Sequence, residues 1–255
     1  MSSIIDVRHV HKAFGGLKVM NDCSLQVEQG SITGLIGPNG AGKSTLFNIV
    51  AGALPLDSGQ VLLDGEDITN QSANALFHKG LLRTFQIAHE FSLMTALENL
   101  MMVPPQQAGE NLFEAWFKPA RVNRQEAEVR RRALEVIDFI GLYHVRNELA
   151  GNLSGGQKKL LELGRTMMTD ARVVLLDEIA AGVNRTLLGD LVNNIERLNR
   201  ELGYTFLVIE HDMEMIARLC HPVIVLAQGS VMVEGSIEEI RNNPQVIEAY
   251  FGSAA

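Results

Sequence analysis

The sequence predicts an α/β fold: a parallel sheet packed with helices, an antiparallel layer toward the N-terminal end, and a helical insert. Three observations predict it. Short aliphatic and β-branched runs alternate with longer segments of 3.6-residue period. Two of those runs, TFLVI at Thr205–Ile209 and VIVL at 223–226, are apolar without alternation, as strands covered on both faces are. The stretch 86–168 holds no convincing strand, and its periodic segments read as helices.

Element by element, the segments 5–10, 23–27 and 60–63 alternate apolar and polar residues. They are punctuated by Gly15, Gly16, Gly30, Gly59 and Gly65, which suits strands of an antiparallel edge layer. Ile32–Ile36 is a short apolar strand leading into a helix over 43–51. In the insert, helices are expected over 96–102 and 124–140. Pro104 and Pro105 break the first, so 104–120 reads as a loop region. A helix over 158–168 presents Leu160, Leu161, Gly164, Met167 and Met168 on one face. A strand at 173–176 precedes a helix over Arg185–Leu202, and the segments 225–226 and 231–233 flank Gln228-Gly229 as a hairpin would. No internal repeat or low-complexity tract interrupts this order.

Composition narrows the function classes. With 46% hydrophobic and 20% charged residues, the 255-residue chain has ordinary globular values, which excludes a disordered or collagen-like polymer. Its formal charge of −8 removes the broad basic face that holds nucleic acid, so no nucleic-acid partner is expected. Two cysteines, Cys23 and Cys220, make neither a disulfide framework nor a zinc ribbon and fit a reducing cytoplasm. The opening MSSIIDVRHVHKAF does not read as a secretory leader, and no run of about 18 uncharged apolar residues is long enough to span a membrane. The arginines at 121, 124, 130, 131 and 132 alternate with Glu126, Glu128 and Glu135 and read as a solvated helix face.

Two stretches carry chemistry. Gly37, Pro38, Asn39, Gly40, Ala41, Gly42, Lys43, Ser44 and Thr45 fit G-x-x-x-x-G-K-[ST] between an apolar strand and a helix, the context of a P-loop. Its glycines allow a turn whose N–H groups face phosphate oxygens, and the helix adds its positive end. Lys43 is expected on the β and γ phosphates, Ser44 on Mg²⁺ and Thr45 on the α phosphate. The strand at 173–176 ends in Asp177 and Glu178, and open α/β sheets bind ligands at the carboxyl ends of strands. Asp177 is therefore expected to hold Mg²⁺ through water, and Glu178 to orient or deprotonate an attacking water.

A second glycine-rich helix start follows at Leu153, Ser154, Gly155, Gly156 and Gln157. A P-loop, this LSGGQ pentapeptide and the Asp177-Glu178 strand end, in that order, resemble the nucleotide-binding subunit of an ABC transporter. The resemblance implies a P-loop NTPase of the ABC type, a single domain over 1–255 with a helical subdomain inserted at 87–170, and ATP hydrolysis with Mg²⁺. It implies that Ser154, Gly155, Gly156 and Gln157 close over ATP held by a second ATP-binding subunit, identical or different. It assigns Phe14, otherwise an ordinary edge-strand aromatic, to stacking on adenine. It gives Gln86 to Mg²⁺ and water, His211 to the γ phosphate, and the loop 180–184 to the dimer interface.

The strings DEIAAGVN from Asp177, IEHDM from Ile209, and EIRNNP through AYFG at 239–252 are similar to ATP-binding subunits of branched-chain amino-acid importers. That similarity implies transmembrane permease partners, indirect service to an extracytoplasmic solute-binding protein, and peripheral attachment to the cytoplasmic face of the membrane. Urea or amide importers and a lipopolysaccharide exporter use similar subunits, and a soluble ATP-switched module acting on nucleic acid or ribosomes is the alternative from another class. Ile179 departs from the pattern, since that family usually has proline after the glutamate.

Overall fold

Residues 2–84, 90–105, 107, 109 and 116–251 are described by a computed structural model. Two long strands open the chain. β1 (Ser3–Phe14) and β2 (Leu17–Glu28) pair antiparallel, with register shifts between Val7 and Val10 and between Val10 and Lys12. These strands are longer than the alternating segments of the sequence because bulges break the period of two. His9 and Asp22 both take positive φ there, at 49° and 56°.

β3 (Ile32–Ile36) is buried throughout and feeds α1 (Lys43–Val50). β4 (Ser58–Leu63) and β5 (Glu66–Asp67) complete a four-stranded antiparallel sheet in the order β2-β1-β4-β5. α2 (Ala73–His78) leads to β6 (Leu81–Arg83), a strand the periodicity does not reveal, since three residues carry no pattern.

The described residues that follow include α3 (Ala96–Met101), α4 (Pro119–Phe139) and α5 (Gly155–Met167). α4 starts five residues earlier than its apolar stripe does, inside the expected loop, with proline at its first position, where no N–H partner is lost. Arg132 reaches back to the carbonyl oxygens of Met167 and Thr169 at 2.8 and 3.0 Å, so one arginine of the mixed-charge face caps the end of α5. Arg131 pairs with Glu135 one turn on, at 2.6 Å.

The chain then returns through β7 (Val173–Asp177), α6 (Arg185–Leu202), β8 (Thr205–Ile209), α7 (Met213–Leu219), β9 (Val223–Ala227) and β10 (Ser230–Gly235). It ends in α8 (Ile237–Arg241) and α9 (Pro244–Phe251). β9 and β10 form the expected hairpin, with Gln228 and Gly229 both at positive φ.

The second sheet has the order β10-β9-β3-β8-β7-β6 and is parallel apart from β10. One core joins it to the first sheet and to α1. Ile5, Val7 and Val10 of β1, Leu46 and Phe47 of α1, and Leu35, Leu207 and Leu226 are all buried in it.

The chain divides into two units, one of residues 1–83, 171–180 and 195–255, holding both sheets, and one of 84–170 and 181–194, holding α3, α4 and α5. Among the described residues no helix is long and apolar enough to cross a membrane. Cys23 and Cys220 are free and buried, and burial pushes each thiol up to about 12.

Candidate functional site

Parallel register brings the chemistry to one edge of the second sheet. Leu35 and Asp177 are both register partners of Ile209, so β3, β8 and β7 end side by side. The loop from Gly37 after β3, the pair Glu210-His211 after β8 and Glu178 after β7 therefore emerge at the same edge. β3 also lies where the order of strands reverses, between β8 and β9, the crevice in which such sheets bind ligands.

The loop 37–45 is built for an anion. Gly37 has φ 152°, and a Cβ there would lie 2.1 Å from the carbonyl oxygen of Leu226, so no side chain fits. The helix it feeds starts at Gly42, in a left-handed conformation, with no side chain capping its N–H groups and no acidic residue in its first turn. By contrast, α2, α3, α5, α7 and α8 are capped by Ser72, Thr95, Ser154, Asp212 and Ser236. The uncapped donors of α1 and its positive end suit phosphate oxygens.

Lys43 is buried, and its Nζ donates to the carbonyl oxygens of Gly37 at 2.7 Å and Pro38 at 3.1 Å. Burial pulls its pKa down, while Glu178 and Asp177 act the other way. Gly37, Ala41 and Gly42 are buried, Pro38 and Thr45 half-buried, and Asn39, Gly40 and Ser44 exposed, so the loop has an open side.

Asp177 is buried at the end of β7. Its Oδ2 accepts from Arg83 Nη2 at 2.6 Å, and Arg83 also donates to the Asn48 side chain of α1. The Nε of Arg83 is buried without a partner among the described atoms. Arg83 was not legible in the sequence because the edge strand that carries it was not.

Glu178 sits at φ 49°, a strained conformation for a side-chain-bearing residue, with its N–H still donating to the Ile209 carbonyl at 2.9 Å. Its Oε1 lies 3.3 Å from Nε2 of His211, so two residues that the sequence reading singled out separately meet. Ile179 is buried.

Phe14 closes β1, half-exposed, with the Lys12 ammonium 5.7 Å from its ring centre. Tyr250 of α9 accepts a hydrogen bond from the Gly37 N–H, which opposes the upward push of burial on its pKa. The sequence reading used AYFG only for its resemblance and gave Tyr250 no contact. Gln86 lies outside the described residues.

In the second unit, Ser154 opens α5 through a capping box. Its Oγ accepts from Gln157 N–H at 3.3 Å, and its own N–H donates to Gln157 Oε1 at 2.9 Å. A Cβ on Gly156 would stand 2.6 Å from Leu187 Cδ1, so glycine there lets α5 approach the first turn of α6. The same unit holds a groove of about 490 Å³ lined in part by Leu93, Met94, Met101, Met102 and Val122.

These features agree with what the chain is similar to. Residues 20–181 match the family model described as ABC transporter, and residues 230–255 match one described as branched-chain amino acid ATP-binding cassette transporter. A probable branched-chain amino acid transport ATP-binding protein LivG from Archaeoglobus fulgidus is 40% identical over 254 residues, covering 98% of this chain and 96% of its own length. The high-affinity branched-chain amino acid transport ATP-binding protein BraF of Pseudomonas aeruginosa is 38% identical, with 98% of both chains covered.

Among solved structures, the ADP conformation of an ATP-binding cassette of an ABC transporter superposes with a TM-score of 0.84 at 34% identity, covering 99% of this chain and all of that one. A nucleotide-free ATP-binding cassette gives 0.83 at 36%, with the same coverage. The uncapped P-loop, the paired strand ends and this likeness over nearly the whole length lead to one conclusion: the chain belongs to the ABC transporter family, as an ATP-binding cassette with ATPase activity.

Proposed function

We propose that the chain hydrolyses ATP to drive import of branched-chain or other neutral amino acids, as one of two ATP-binding subunits beneath a pair of transmembrane permease subunits. The observation that carries this reading is the match of residues 230–255 to the branched-chain transporter model. Full-length likeness to branched-chain transport ATP-binding proteins supports it. The chain works as one cassette over 1–255 with a helical insert at 87–170, attached to the cytoplasmic face of the membrane and served by an extracytoplasmic solute-binding protein.

Within the site, Lys43 exchanges the carbonyls of Gly37 and Pro38 for the β and γ phosphates, while the N–H groups of the loop and of α1 take the remaining oxygens. Phe14 stacks on the adenine, and Thr45 serves the α phosphate. Ser44 and Asp177, with Gln86, are the residues that would hold Mg²⁺; their hydroxyl, carboxylate and amide oxygens are the hard donors this cation prefers. Mg²⁺ when bound neutralises phosphate charge. Asp177 fits this use because its carboxylate is fixed by Arg83 beside the P-loop helix.

Glu178 orients the attacking water and takes its proton. His211, 3.3 Å from it, steadies that carboxylate and faces the γ phosphate. Ser154, Gly155, Gly156 and Gln157 of one subunit complete the site of the other. Most of the catalysis is positioning and charge stabilisation.

The test is uptake of labelled leucine and labelled urea in cells whose sole copy is wild type or Lys43→Ala. Loss of leucine uptake alone is expected. Intact leucine uptake with lost urea uptake would replace the solute by urea or an amide, and intact uptake of both would refute an importer of either kind.

A further inference from the structure

Glu210 was given no role by the sequence, yet among the described residues it is, with Asp177, a buried carboxylate. It lies immediately after β8, between the catalytic strand ends. Its Oε1 accepts the Ala180 N–H at 2.7 Å, across from the loop that leaves β7. Its Oε2 accepts the N–H of the adjacent His211 at 3.1 Å, and the Asp212 N–H is a further donor to this carboxylate. Asp212 in turn caps α7, its Oδ1 accepting from Glu214 and Met215 N–H at 2.9 and 3.0 Å.

A single carboxylate thus ties the segment 178–180 to the turn 210–212, and each segment carries one half of the Glu178–His211 pair. Burial raises the Glu210 pKa. The three backbone hydrogen bonds oppose that rise, and nearby Glu178 adds to it. The tie is needed because Glu178 is held at positive φ, where its own backbone preference works against the observed geometry. The next residue, Ile179, lacks the ring that would stiffen the loop as proline does.

We infer that Glu210 is a positioning residue that holds the water-activating Glu178 and His211 as one unit by bridging the two loops that bear them. This rests on the proposed catalytic roles of Glu178 and His211. Both oxygens of Glu210 are taken by backbone donors, and it acts through them. Glutamine keeps the size but offers one acceptor and turns an NH₂ toward backbone donors, so it cannot make both ends of the bridge. Aspartate is one methylene too short to span them.

The experiment compares wild type, Glu210→Gln, Glu210→Asp, Glu178→Gln and the double variant Glu178→Gln/Glu210→Gln, measuring ATP affinity and kcat on the full chain. Both Glu210 variants are expected to lower kcat about tenfold or more with ATP affinity within about twofold of wild type, because the P-loop is untouched. In the Glu178→Gln background the Glu210→Gln change should add less than about twofold, since both act on one element. Retained ATP affinity also certifies folding, and should Glu210→Gln fail to fold, Glu210→Asp carries the same comparison. Wild-type kcat in both Glu210 variants, or affinity falling in step with kcat, overturns the inference while leaving Glu178 in place. Undiminished turnover by Glu178→Gln would instead overturn the catalytic reading on which it stands.

Discussion

Two glycine-rich helix starts of the chain are prepared in opposite ways. At α1 the N-cap is Gly42, no side chain satisfies the first N–H groups, and a buried lysine is folded back on the loop carbonyls. At α5 the N-cap is Ser154, and a reciprocal capping box with Gln157 takes up two of the N–H groups, those of Ser154 and Gln157, from within. An uncapped start keeps all its first N–H groups open to an anion; a capped one offers a phosphate fewer free donors. In our reading α1 therefore binds ATP within a single chain, whereas α5 contributes only when a second subunit brings ATP to it.

The comparison can be sharpened by separating chemistry from binding. Glu178→Gln touches neither helix start and removes the base we propose, so kcat should fall about 100-fold to 10,000-fold while ATP still binds. Steady-state turnover beside a binding titration checks it. Next in size, Lys43→Ala should weaken ATP binding by about 10-fold to 100-fold, the worth of one or two charge-assisted hydrogen bonds to phosphate. Equal affinity in the variant would break the contrast at its first term.

Ser154→Ala acts on the other start. It should cost about 1 kcal/mol of stability through the lost cap, lowering the unfolding midpoint by about 2–4 °C, and it should reduce turnover in the assembled transporter. Differential scanning calorimetry measures the first effect. The smallest change expected is Tyr250→Phe, which removes the acceptor for the Gly37 N–H. It should alter ATP affinity by less than about fivefold, an effect of about 1 kcal/mol or below.

The parts of the fold with a strong period were legible in the sequence. β3, β8 and α6 run over the residues their patterns mark, because each is long enough to repeat a pattern and is bounded by glycine or polar residues. β6 was not, since it is three residues at a sheet edge, and the outer ends of β1 and β2 were hidden by bulges. In the site, the motifs announced Lys43, Asp177 and Glu178 because phosphate chemistry restricts both residue type and spacing. Arg83 meets Asp177, Glu210 meets Ala180 and Tyr250 meets Gly37 across long stretches of the chain, which no local pattern encodes.

Whether the two helix starts differ in kind is tested most directly by titrating the isolated chain with fluorescent ATP. Wild type and Ser154→Ala should bind with affinities within about twofold of each other, and Lys43→Ala should bind at least about tenfold more weakly. Loss of affinity in Ser154→Ala as large as that in Lys43→Ala would contradict the account.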